Sequence, residues 1–238
     1  MHMYWLGDPT FIFLIPAMIL VFWAQARVNS AFNKWSQVRT RSGVTAADVA
    51  RDILRKHNLS DIPVEYVAGH LTDHYDPQAR VVRLSASTYN SSSIAAIGVA
   101  AHEVGHAIQH DVAYVPLHMR NLIYPVARIG DSLGPFLVIL GIIFGAFSGA
   151  DFGIMLMDIG ILAFTAAVLF YLVTLPVEFN ASRRAVEILE TGGYMTRDEV
   201  SGARQVLTAA ALTYVAGAAT AVAQLLRLLF LRSMARDD

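Results

Sequence analysis

The chain has 238 residues, of which 55% are hydrophobic and 16% charged, with a mean hydropathy of +0.47 and a formal net charge of -1. Soluble domains average about 25% charged residues, so this composition indicates a membrane protein. No basic run points to nucleic acid, and the absence of cysteine excludes disulfides and thiolate metal sites. Any metal must therefore be held by His, Asp or Glu.

In chain order, the first apolar stretch is residues 10–26, "TFIFLIPAMILVFWAQA". No Lys or Arg precedes it, so it lacks the charged start of a signal peptide and reads as an uncleaved span with a kink at Pro16. Val28, Phe32, Trp35 and Val38 then share a helical face, so this helix is expected to continue along the membrane surface. "TAADVARDILRKHNL" predicts a helix capped by Thr45 and Asp48, with Ala50, Ile53 and Leu54 as its buried stripe. The period then changes. "IPVEYVAGHLTDHYDPQARVVRLSAST" alternates and turns at "DPQA", which predicts a β-hairpin or a three-stranded sheet.

From Ser92 or Ser93 the helical period returns and enters "AAHEVGHAIQH", residues 100–110. Two further apolar stretches follow, at 133–148 and 152–175, and a fourth, rich in small residues, at 206–226. Lys and Arg cluster in the segments 27–131 and 176–205, which places both on the cytoplasmic side. Arg227, Arg232 and Arg236 break this pattern if the fourth stretch crosses, so that stretch is either spanning or re-entrant. Asp158, an acid within the third stretch, is expected near the membrane interface. The organisation is thus 1–26 as a first span, 27–131 as a cytoplasmic region and 132–175 as two spans. Residues 176–205 are expected to form a helix and loop that carry the third metal ligand, and 206–238 a fourth apolar helix and tail.

His102 and His106 lie four residues apart, on one helical face, with Glu103 between them. This H-E-x-x-H pattern arises by chance in roughly 0.007 of such chains, given their His and Glu content. The chemistry needs these types. Two imidazoles hold zinc, which makes water acidic near neutral pH and polarises a peptide carbonyl; Glu103 accepts the water's proton. A third ligand is required. His110 is about 12 Å further along the helix axis than His102, too far to close the same shell. The downstream carboxylates are Glu178, Glu187, Glu190 and Glu199. Glu178, in "TLPVEFNASRRA", is favoured because two intervening spans return the chain to the side of His106. Ser182, one turn later, is placed to hydrogen-bond a ligand.

"SIAAIGVAAHEVGHAIQH", "TLPVEFNASRRA" and "VLTAAALTYVAGAATAVAQLLRLL" together resemble the YugP-like membrane zinc metallopeptidases. More distantly, they are similar to the HtpX and CAAX prenyl protease group of gluzincins. The likeness covers nearly the whole chain. It implies zinc on His102, His106 and Glu178, with Glu103 as base. In the distant relatives the third-ligand motif reads E-x-x-A-D; here Ser182 stands at its last position, so a carboxylate role there is not carried over. The resemblance also implies that "HLTDHY", residues 70–75, is an edge strand for substrate, with His74 and Tyr75 beside it. Arg183 and Arg184 join Tyr75 and His74 as candidates to stabilise the oxyanion.

The expected fold is a mainly α-helical polytopic membrane protein with a small α+β gluzincin-like metallopeptidase domain. The expected activity is zinc-dependent endopeptidase action, with one catalytic Zn²⁺, on membrane-associated or misfolded polypeptide. The expected location is a prokaryotic cytoplasmic membrane, with the site on the cytoplasmic face. Two competing readings are a non-catalytic membrane module with a structural zinc and a metal transporter. The transporter requires polar residues in mid-span, where this chain has almost none.

Overall fold

The computed structural model describes residues 9–148 and 150–237. The described residues form six helices, α1 (Ile15–Ser36), α2 (Ala46–Lys56), α3 (Ile94–Asp111), α4 (Val115–Ser148), α5 (Ala150–Thr191) and α6 (Arg197–Asp237), and three strands. These are β1 (Val64–Val67), β2 (His74–Asp76) and β3 (Val81–Ser85). The chain divides into two compact units. One comprises residues 1–23, 118–175 and 214–238; the other comprises 24–117 and 176–213.

Among the described residues, three helices are long and apolar enough to cross a membrane, over Val115–Gly145, Asp151–Thr191 and Arg197–Arg236. The first unit holds residues 118–175 and 214–237 of them. Its share of α5, residues 150–175, exceeds the about 20 residues that a bilayer crossing needs. Helix α6 is one continuous helix of 41 residues. The α4 and α5 backbones touch because the contact is built from glycine. A Cβ on Gly130 would lie 2.0 Å from the Ala163 carbonyl oxygen, and one on Gly141 2.6 Å from that of Gly153. Val138, Met157, Phe164 and Leu228 fill the core of this unit. Arg232 forks onto Asp158 through bonds of 2.8 and 3.0 Å, so two of the charges that sit awkwardly in an apolar sequence neutralise each other. Arg227 bonds Thr10 and lies 4.2 Å from the Phe11 ring.

Pro16 departs from expectation. It lies in the first turn of α1, preceded by a short 3-10 turn over Pro9–Phe13, and so starts the helix without kinking it. At that position the missing N–H has no intrahelical partner to lose. Residues 1–8 of the expected first span lie outside the described residues.

The second unit is α+β. Thr45 caps α2: its Oγ1 accepts from the Asp48 N–H, and the two side chains bond reciprocally at 2.7 Å. Ser93 caps α3 in the same manner, accepting from Ala96 N–H. The buried stripes of both helices meet around Ile53, Leu54, Ile97 and Val104, over the inner face of β3 at Val82 and Leu84. The sheet is three-stranded, in the order β1-β3-β2, with β1 parallel and β2 antiparallel to β3. The edge strand is shorter than 70–75. Gly69 and Leu71 adopt positive φ, and the Asp73 carboxylate takes the Ser85 N–H and hydroxyl. Backbone pairing therefore begins only at His74.

Candidate metal centre

Helices α3 and α5 cross inside the second unit at Gly105. A Cβ there would sit 2.9 Å from the Ala181 carbonyl oxygen and 3.3 Å from its Cα. The absent side chain lets the turn carrying His102 and His106 lie against the turn carrying Glu178 and Ser182. Gly105→Ala should push these turns apart, destabilise the fold by about 1–3 kcal/mol and weaken metal binding together. Thermal unfolding and chelator competition read the two effects; unchanged metal affinity would refute the role given to this contact.

The result of the crossing is a triangle of donors. His102 Nε2 and His106 Nε2 are 3.1 Å apart, and Glu178 Oε2 is 3.3 Å from the first and 3.6 Å from the second. Ligands about 2.1 Å from a tetrahedral zinc stand about 3.4 Å from one another, so the three atoms fit such an ion. Among the described residues these three form the group able to hold a metal, and His110 is not in it. All three side chains are largely buried, Glu178 most deeply at 3% exposed. An ion held by three such donors would keep a fourth position open.

The supporting bonds fix how the donors present themselves. Gln109, fully buried, donates Nε2–H to the Val177 carbonyl at 2.8 Å and to Asn180 Oδ1 at 3.0 Å. A carbonyl can only accept, so the amide orientation is set. The Gln109 oxygen then faces His106 Nδ1 at 3.0 Å, and that nitrogen must carry the proton. His106 Nε2 is thereby assigned to the metal side. Ser182 Oγ lies 3.1 Å from His102 Nδ1 and holds the other imidazole in place. Burial pushes the His106 pKa down, but the Glu178 carboxylate, with Glu103 and Gln109 behind it, overrides this and raises it. An ion held by Nε2 would leave the Nδ1 bond to Gln109 intact.

Gln109 and Asn180 escaped the sequence reading, although their positions carried a signal. Gln109 is one helical turn from His106, and Asn180 is two residues from Glu178. Gln109→Met, of similar volume, should lower metal affinity by about 10–100-fold. Histidine nitrogen NMR of the same variant should show His106 losing its single tautomer. An unaltered tautomer would remove the basis for this assignment.

Glu103 is buried beside the triangle, and its Oε2 accepts the Tyr75 N–H at 3.0 Å. That N–H faces away from β3, on the free side of the edge strand. The Tyr75 hydroxyl bonds His110 Nδ1 at 2.8 Å, and burial pushes the pKa of this hydroxyl up. His110 is thus taken up by the strand. His74 is exposed and bonds the Thr72 carbonyl. Arg184 bonds Asn180, which ties it to the Gln109 network, whereas Arg183 lines a separate cleft with Glu187, Glu190 and Arg204. Glu199 is accounted for as a cap: its two oxygens accept from the N–H groups of Arg41 and Thr196, each at 2.7 Å.

Comparison with known proteins gives two matches. Residues 10–233 match a family described as "putative neutral zinc metallopeptidase". The chain is also 48% identical over 229 residues to "putative membrane protease YugP" of Bacillus subtilis (strain 168), covering 96% of this chain and 99% of that one. No solved structure matches.

Proposed function

The chain belongs to the family of neutral zinc metallopeptidases, and from that premise we propose that it is a membrane-embedded zinc endopeptidase. Its substrates are membrane-associated or misfolded polypeptides, cleaved on the cytoplasmic side of a prokaryotic membrane. The observation that carries this reading is the donor triangle of 3.1, 3.3 and 3.6 Å with a buried carboxylate on the adjacent residue.

His102, His106 and Glu178 hold one ion in a gluzincin-like arrangement. Zinc supplies Lewis acidity there: it makes water acidic near neutral pH and polarises a carbonyl. Glu103 takes the proton from the attacking water and returns it to the leaving amine. The bond from Tyr75 N–H holds one of its oxygens and leaves the other for proton transfer. Substrate lies along β2, the sheet edge that ends the order β1-β3-β2. The Tyr75 N–H on that edge already serves Glu103, so an added strand takes its bonds from neighbouring groups. Tyr75, His74, Arg183 and Arg184 are the polar side chains for substrate or oxyanion roles.

The test is cleavage by the full chain reconstituted in lipid, with an unfolded polypeptide and a membrane-tethered one as substrates. Hydrolysis should stop with a zinc chelator and return on adding zinc. Stoichiometric zinc without hydrolysis of either substrate would instead favour a structural zinc module.

A further inference from the structure

A second built feature of the α+β unit lies apart from the metal ligands. We propose that the cleft between α1 and α6 binds the phosphate-bearing headgroup of an anionic phospholipid. The cleft has a volume of about 400 Å³, within the size range of small-molecule sites. Arg27, Ser30 and Lys34 line it from α1, and Ser201, Arg204 and Gln205 from α6. No carboxylate is among its lining residues. Arg204 is shared with the neighbouring cleft, which also holds Glu187 and Glu190; cations lining one concavity focus a positive potential that attracts an anion. Phosphate fits this set: Arg forks and hydroxyls match its tetrahedral oxygens, and Lys adds a point charge.

The cleft is preorganised. Trp35 of α1 donates Nε1–H to Gln205 of α6 at 3.3 Å. The Trp35 ring sits where a Cβ on Gly202 would come within 2.7 Å of it. The Lys34 ammonium lies 4.7 Å from the same ring. Helix spacing and one cation are therefore set by a shared aromatic anchor.

Sequence on both walls selects a lipid over a free phosphate. Arg27 directly follows the apolar stretch 10–26, and Arg204 lies two residues before the start of the apolar stretch 206–226. On each helix the cation marks the change from apolar to charged sequence, where lipid phosphates lie. On α1, Trp23, Arg27, Ser30 and Lys34 recur at helical spacing on one face, with Trp23 48% exposed. A tryptophan one turn on the apolar side of a cation is the pattern of a headgroup-level anchor.

The experiment uses the full chain in bilayers carrying spin-labelled phosphatidylglycerol or spin-labelled phosphatidylcholine. The motionally restricted fraction gives the relative affinity. The wild type should prefer phosphatidylglycerol, and each cation removed should reduce the preference by about fivefold. The combined Arg27→Gln, Lys34→Gln and Arg204→Gln variant should show none. Because Arg204 also lines the neighbouring cleft, the Arg27→Gln, Lys34→Gln double variant is measured separately and should lose most of it. Arg80→Gln, which removes a cation paired with Asp61 elsewhere, should change nothing, and circular dichroism should show all variants folded. No preference in the wild type, or an equal preference in the triple variant, overturns the proposal. Binding of inorganic phosphate that is lost in the triple variant, without any lipid preference, assigns the cleft to a free anion and also overturns it.

Discussion

Glu103→Gln should reduce peptide hydrolysis by about 10²–10⁴-fold while leaving bound zinc unchanged. The substitution preserves shape and removes one property, the ability to take a proton. A Gln carbonyl oxygen can still accept the Tyr75 N–H bond of 3.0 Å, so the link between α3 and the edge strand survives. The carboxylate is not among the three donors of the triangle, so the metal keeps its ligands. Zinc content by elemental analysis and turnover on an unfolded polypeptide are measured on one preparation. Hydrolysis at the wild-type rate would falsify the base assignment. Loss of zinc along with hydrolysis would mean that Glu103 acts on the site's structure and not on the proton.

Glu178→Ala should abolish high-affinity metal binding, whereas His110→Ala should retain it. Losing one of three ligands exceeds the roughly 10–100-fold loss expected from a supporting residue. It also removes the carboxylate that contributes most to raising the His106 pKa, so that pKa should fall, with Glu103 and Gln109 still opposing the effect of burial. His110 lies on the same helix but is bonded to the Tyr75 hydroxyl at 2.8 Å. Its loss should loosen α3 against β2 and leave the metal in place. Glu178→Gln, which keeps the side-chain shape, separates ligand loss from misfolding. Chelator titration of the four proteins gives the ranking. Metal loss in His110→Ala with retention in Glu178→Ala would reverse the ligand assignment.

The H-E-x-x-H pattern was legible because helical spacing alone puts residues four apart on one face. The cap at Thr45, the return of helical period near Ser92 or Ser93 and the change of period at the β region were equally local. The small sheet followed from alternation, but its order did not. That β1 lies parallel to β3, across from β2, depends on pairing between residues far apart in sequence. Pro16 was misread because proline ends a helix in its interior but begins one at its first turn, and sequence alone did not locate the start.

Glu178 could be nominated from chain topology, because two spans return the chain to the side it left. Sequence could not supply the distance. That came from Gly105, where a missing Cβ admits the α5 backbone, and from α5 continuing through Pro176 as one helix to Thr191. The Gln109–Asn180–Arg184 network was invisible for the same reason: a buried amide reveals its role only when its acceptors are known. The sequence by itself therefore determined the types of donor residue, two of their positions on a shared face, and the long apolar helices, all consequences of composition and short-range geometry. The tertiary structure alone decided the closing of the triangle, the tautomer of His106 and the bond to Glu103. Each of these depends on contacts within a few ångström between segments about 30 to 80 residues apart, which no local pattern encodes.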